Sequence, residues 1–174
     1  MITLEANFSY VLRFVALIET KTSTKPQRLD MVYDPGAGTT TISRQFALDA
    51  GYKIKKSDEL VDGVGGRVKV DYTVIPNLIL GGLSLGPVYA YVVDFHKELA
   101  RKTEALLGMN VLSWFKITQE CFWNEELERY DRATLMFEPK FDINNKIDFN
   151  NFYPLSRAQR FGAAFIIDRG VEYE

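Results

Sequence analysis

Apolar and polar residues alternate along much of the chain in short runs, a pattern typical of β-strands. Glycine and proline residues separate the runs. Strands are predicted over residues 8–20, 29–33, 52–56, 68–74, 75–80, 88–93, 115–118 and 133–137. Helical spacing is confined to Ile42, Phe46 and Ala50, and to residues 109–115. Many short strands with few short helices favour an all-β, barrel-like fold.

The length and composition suit one folded domain with an appendage. The chain has 174 residues, 47% of them hydrophobic, which is enough to bury a core. We predict a domain over residues 1–139 and a C-terminal extension over residues 140–174. The extension begins polar and rich in asparagine, while its residues 161–167 have the composition of an additional strand or a dimer-interface segment.

Charge and the count of reactive side chains exclude several functions. A net charge of −2 argues against a dedicated nucleic-acid or anionic-membrane binder. One cysteine and one histidine cannot build a zinc site or a Ser-His-Asp triad within one chain. We expect Cys121 to be a buried small hydrophobe and the protein to be cytoplasmic. No signal peptide is apparent, and no apolar run reaches the roughly 20 residues that cross a bilayer.

The candidate chemistry lies where the strand over residues 29–33 runs into an acid. The stretch is Asp34-Pro35-Gly36-Ala37, which on its own is also an ordinary turn sequence. A glycine-rich hairpin tip, Val64-Gly65-Gly66-Arg67, comes next along the chain. It lacks the lysine and hydroxyl residue of a nucleotide-binding loop. Roughly seventy residues after the acid, Leu106-Leu107-Gly108 opens a short apolar helix.

This order of motifs resembles the retropepsin-like aspartic peptidases of the pepsin superfamily, over about residues 8–138. Their pattern is an apolar strand, Asp-Thr/Ser-Gly-Ala, a flap hairpin, and two apolar residues with glycine before a helix. The resemblance implies a single-lobe acid-protease barrel that forms a homodimer. Each protomer supplies one aspartate, here Asp34, and the pair cleaves a peptide or protein substrate with an activated water. It implies no metal and no cofactor.

The resemblance also assigns supporting roles. Gly36 lets the backbone approach the carboxylate, and Ala37 keeps the floor of the site shallow. Leu106-Leu107-Gly108 lies behind the catalytic loop, where Gly108 permits close packing. Val64-Gly65-Gly66-Arg67 forms the flap that covers an extended peptide and excludes water.

Pro35 departs from the family pattern, which has threonine or serine there. That hydroxyl bonds across the dimer axis, whereas proline offers neither a hydroxyl nor an N–H. Its ring does restrict the loop. Two further hypotheses therefore stay open beside the peptidase. One is an inactive peptidase-like fold that binds peptides or proteins, and the other is an unrelated β-barrel in which Asp34 begins a plain turn.

Overall fold

A computed structural model describes residues 1–9, 11–63, 66–95 and 103–141 of the chain. It contains two short helices among these residues, α1 (Arg44–Asp49) and α2 (Met109–Leu112). The strands are β1 (Ile2–Ser9), β2 (Val11–Ile18), β3 (Gln27–Tyr33), β4 (Thr41–Ser43), β5 (Leu60–Gly63), β6 (Gly66–Lys69), β7 (Asp71–Ile75), β8 (Leu78–Leu80), β9 (Leu83–Ser84), β10 (Val88–Val93), β11 (Ala105–Leu107), β12 (Phe115–Asn124) and β13 (Arg129–Pro139). The all-β prediction with short helices is confirmed. Neither of these helices has the length and apolar character needed to span a membrane.

One large sheet carries most of the strands. Its order is β12-β13-β1-β2-β3-β11-β4-β10-β7, with β8 and β9 attached beside β2. Most neighbours are antiparallel, but β11 pairs parallel to β3 and antiparallel to β4. The late strand β11 is therefore inserted between two early ones. This insertion brings the end of β3 and the end of β11 side by side.

The inward faces of these strands form one continuous core. β2 shows the alternation that the sequence predicts, with every second residue buried. β10 is buried along its whole length because both of its faces are covered. Val88, Ala90 and Val92 belong to the main core, whereas Tyr89, Tyr91 and Val93 form a second cluster, on which Val61 of β5 packs. The core fixes the strand ends that carry the candidate site.

The β5–β6 hairpin stands apart from this core. It forms a separate two-stranded sheet, with Leu60 paired with Lys69 and Gly63 with Gly66. The sequence predicts a hairpin here, and the structure confirms it. Two residues of its predicted tip, Val64 and Gly65, lie outside the described residues.

Several predicted boundaries were wrong. Residues 68–74 form two strands separated at Val70, which is fully buried between them. Residues 52–56 make only an isolated bridge, between Lys55 and Tyr72. The predicted strands over residues 115–118 and 133–137 are much longer, because β12 and β13 pair as a long hairpin that turns after Asn124, and Cys121 within β12 is half-buried instead of buried. The first strand, β1, was missed. Long-range pairing with β13, from Ile2 opposite Phe137 onward, explains strands that local composition does not reveal.

Candidate active site

The two predicted motifs meet at the ends of β3 and β11. Tyr33 lies opposite Leu107 in the parallel register. The N–H of Asp34 then donates to the carbonyl oxygen of Leu107 over 3.2 Å. Asp34 is thus held at the edge of the sheet by a strand that the chain supplies more than seventy residues later. The Asp34 side chain is half-exposed, so solvent reaches it.

A tight turn follows Asp34 and orients its carboxylate. The N–H of Ala37 donates to the carbonyl oxygen of Asp34 over 3.1 Å, which closes a four-residue turn. The N–H of Gly36 donates to Oδ1 of Asp34 over 3.0 Å. Pro35 occupies the second position of this turn, where the fixed φ of proline is favoured. The proline therefore suits the observed turn.

Gly36 lies in close contact with the carboxylate. A Cβ added at Gly36 would lie 3.2 Å from Oδ1 of Asp34, closer than most real Cβ contacts. A larger residue would displace the acid or the loop. This geometry accounts for a glycine two residues after Asp34.

Helix α2 supports the loop from behind. The N–H of Met109 donates to the carbonyl oxygen of Ala37 over 2.8 Å, and that of Asn110 to Gly38 over 3.1 Å. The first N–H groups of a helix have no partner within it, so here the acid loop satisfies them. Gly108 precedes the helix and packs on the backbone of Thr39. A Cβ added at Gly108 would lie only 2.5 Å from the carbonyl carbon of Thr39.

Asn110 connects three segments beneath the loop. Its Oδ1 accepts from both the N–H and the hydroxyl of Thr40, over 2.7 and 2.8 Å. Its Nδ2 donates to the carbonyl oxygen of Tyr89 in β10 over 2.9 Å. The Thr40 hydroxyl also accepts from the N–H of Gly108 over 3.2 Å. Asn110 and Thr40 are buried, so these bonds replace water completely.

Sequence reasoning gave Asn110 no role and did not identify Thr40. The available signal was a polar side chain within the apolar run of α2, because a buried amide needs partners for both its oxygen and its nitrogen. Gly66 and Arg67 of the predicted flap lie in β6, where Arg67 pairs with Asp62 over 3.2 Å. The structure thus brings together the predicted acid loop and the Leu106-Leu107-Gly108 stretch, while Gly66 and Arg67 of the predicted flap belong to the separate hairpin.

An all-β sheet that presents one Asp-x-Gly-Ala loop, held by a later strand and helix, defines a single-lobe acid-protease class of fold. Residues 21–111, just over half of the chain, match the family model described as aspartyl protease. The chain therefore belongs to the aspartyl protease family. This family and fold support assignment as an aspartic-type endopeptidase.

A solved structure has the same fold. A retropepsin-like aspartic protease from Rickettsia conorii is similar at 14% identity, with 76% of this chain and 89% of that chain covered and a TM-score of 0.50. This likeness confirms the predicted retropepsin-like fold. EIAV protease in complex with the inhibitor HBY-793 matches at 20% identity, over 59% of this chain and 85% of that chain, with a TM-score of 0.45. A search of curated proteins returned no match.

Proposed function

We propose that the protein is a homodimeric aspartic endopeptidase in which Asp34 of each protomer forms a catalytic pair. The supporting observation is the Asp34 loop, which is braced by β11 and α2. The sequence contains one Asp-x-Gly-Ala stretch, so a second acid of the same kind has to come from a second copy. Residues 1–139 would form the peptidase domain, with residues 140–174 as an extension.

The chemistry follows from two carboxylates in one site. Two such groups about 3 Å apart cannot both ionise, so they share one proton. The ionised carboxylate takes a proton from water, and the resulting hydroxide adds to the peptide carbonyl carbon. The protonated carboxyl donates a hydrogen bond to the carbonyl oxygen. The carboxyl that took the proton from water then gives it to the peptide nitrogen, the C–N bond breaks, and an amine and a carboxylic acid are released. The pair has macroscopic pKa values that belong to both groups together.

The extension over residues 140–174 is the candidate for the contact with the second copy, because its residues 161–167 have the composition of an additional strand.

Replacing Asp34 with asparagine tests the proposal directly. We expect cleavage of a peptide library to fall by at least about a thousandfold, because both the base and the acid of the pair are lost. The fold should persist, since the side-chain oxygen of the introduced asparagine can still accept from the N–H of Gly36. The measurement is the rate of cleavage across acidic and neutral pH. Unchanged cleavage by the Asp34→Asn variant would rule out the proposed mechanism.

Mixing the wild-type protein with the Asp34→Asn variant tests whether two chains share one active site. If each active site needs Asp34 from both chains, excess Asp34→Asn protein should lower wild-type activity by capturing it in mixed dimers. A monomeric enzyme would be unaffected by the same addition. The total protein concentration is held constant with an unrelated protein as the control.

A second candidate function is the binding of peptides without cleavage, and the presence of proline at position 35 favours it. Proline lacks the hydroxyl that bonds across the dimer axis in the retropepsin-like peptidases. This alternative predicts peptide binding with no turnover at any pH. Cleavage that depends on Asp34 would exclude it.

A comparison of Pro35→Thr with Pro35→Ala separates the effect of losing the proline ring from the effect of gaining a hydroxyl. Loss of the ring should destabilise both variants by about 0.4–1 kcal/mol, because proline restricts the unfolded chain. Only threonine restores a hydroxyl, one in each protomer, so we expect its dimer to be tighter by about 1–3 kcal/mol, the net value of two hydrogen bonds. Sedimentation equilibrium measures both dimer constants. Equal constants for the two variants would show that no such hydroxyl bond forms.

A further inference from the structure

The position of the β5–β6 hairpin depends on its base. The residues of β6 are all exposed, and the two strands form a sheet of their own. An isolated two-stranded hairpin is only marginally stable in water. Val61 of β5 packs on the cluster that includes Tyr89 and Tyr91 of β10, and the remaining attachment comes from the groups where the chain enters and leaves the hairpin.

Asp71 lies at this base and is only 3% exposed. Its Oδ2 accepts from Nη1 of Arg44 over 2.8 Å and from Nζ of Lys56 over 2.9 Å. Its Oδ1 accepts from the N–H of Ser57 over 3.1 Å. Lys56 and Ser57 precede the hairpin and Asp71 follows it. One buried carboxylate thus joins the two ends of the hairpin.

The same carboxylate connects the hairpin to the main sheet. Asp71 begins β7 and lies opposite Val92 of β10. Arg44 begins α1, and its Nε also donates to Oδ2 of Asp94, just beyond β10, over 3.1 Å. Asp71 therefore has both backbone and side-chain contacts to the large sheet. The hairpin strands β5 and β6 form no backbone pairing with that sheet.

We propose that Asp71 is a positioning residue that holds the β5–β6 hairpin, and with it the flap, against the main sheet. The part that concerns the flap rests on the proposed function, and the anchoring of the hairpin does not. A buried carboxylate with two cationic partners suits this role, because bonds to charged groups are stronger than neutral ones and the Asp71 carboxylate is shielded from water.

The anchor stays charged in mild acid. The hydrogen bond from Lys56, then those from Arg44 and Ser57, lower the pKa of Asp71 from 3.8 to about 2, against the opposing effect of burial. The charge of Asp71 also acts on Asp58 and Lys69, which pair with each other over 2.7 Å: it opposes the lowering of the Asp58 pKa and adds to the raising of the Lys69 pKa. Because the folded pKa is lowered, the stabilisation is complete well above 3.8 and is lost as the pH falls through about 2.

Hydrogen exchange on the full chain tests the anchor with Asp71→Asn. The variant keeps the size of the side chain and removes its charge. We expect amides of residues 57–70 to exchange at least about tenfold faster, while amides of β1 and β13 keep their rates. The matched control is Asp58→Asn, which removes an equally short but exposed ion pair at the same hairpin base and should change little. Uniformly faster exchange, or no change in the hairpin, would overturn the proposal.

Lys56→Met provides a second variant in case Asp71→Asn does not fold. The Lys56 side chain is 81% exposed, so its loss leaves the buried Arg44–Asp71 pair intact. We expect a smaller increase in exchange that is again confined to residues 57–70. Unchanged exchange in this variant, with Asp71→Asn unfolded, would also contradict the anchor.

Kinetics test the part that concerns the flap. With a peptide whose cleavage requires Asp34, Asp71→Asn should raise KM about tenfold and change kcat by less than about threefold, since substrate contacts weaken while the acid pair is untouched. A fall in kcat with constant KM would contradict this role. If the wild-type protein cleaves no peptide, the proposed function fails, whereas the exchange experiment still decides whether Asp71 anchors the hairpin.

Discussion

Replacing Gly108 with alanine is expected to destabilise the fold by about 3 kcal/mol or more, at the upper end of the cost of overpacking a core. The added methyl group would lie 2.5 Å from the carbonyl carbon of Thr39 and 2.6 Å from the nitrogen of Thr40. Both are backbone atoms, so neither can rotate away as a side chain would. The measurement is the free energy of unfolding from urea denaturation.

Gly38→Ala is the control for this prediction. Gly38 belongs to the same loop, yet a Cβ there would have no heavy atom within 4 Å. Its substitution should change stability by no more than about 0.5 kcal/mol, as for most surface positions. A similar loss in both variants would mean that glycine flexibility, and not close packing at Gly108, sets the requirement.

Gly108→Ala should also abolish the proposed peptidase activity in any protein that still folds. Relief of the contact requires movement of Thr39, which directly follows the Asp34 loop in the chain, or of α2, which is connected to that loop by hydrogen bonds. Displacement of a catalytic group by about 1 Å can lower a rate a hundredfold. Activity is compared at a temperature where the variant remains folded.

Replacing Asn110 with alanine is expected to cost roughly 3 kcal/mol or more, because each buried group that loses its partner costs about 1–3 kcal/mol. The change removes the acceptor for the N–H and hydroxyl of Thr40 and the donor to Tyr89. The Thr40 N–H would then be buried with no replacement. Urea denaturation again measures the loss.

Asn77→Ala is a matched control, since Asn77 also makes three side-chain hydrogen bonds. Its partners are Glu19, Ser84 and Gly86, at a half-exposed site where water can replace the amide. We expect a loss of about 1 kcal/mol there. Equal losses at Asn77 and Asn110 would contradict the argument from burial.

A double-mutant cycle with Thr40→Val isolates the contact between Thr40 and Asn110. Valine removes the hydroxyl that donates to the amide. Because the two side chains share one network, the losses should not add, with a coupling of about 0.5–3 kcal/mol. Additive losses would show that the Thr40 hydroxyl adds nothing to the role of Asn110, which would then act through the N–H of Thr40 and through Tyr89.

The hydrophobic pattern predicted the fold class because the alternation of β2 is a local property of the chain. The separate hairpin could also be predicted from the sequence, since glycines and alternating residues surround its tip. The first and last residues of the strands were harder to predict. β1 and the outer parts of β12 and β13 exist through pairing between distant segments, as with Thr3 opposite Met136, and not through strong local composition.

The sequence by itself determined the acid, the glycines around it and the order of the motifs, because residue identity and spacing are visible without coordinates. It also presented Pro35 as the unusual feature of the site. Only the tertiary structure showed that Pro35 occupies a turn that suits its ring, and that Asn110 and Asp71 bridge separate segments. Those roles depend on burial and on partners far away in the chain, and both arise only when the sheet has closed around them.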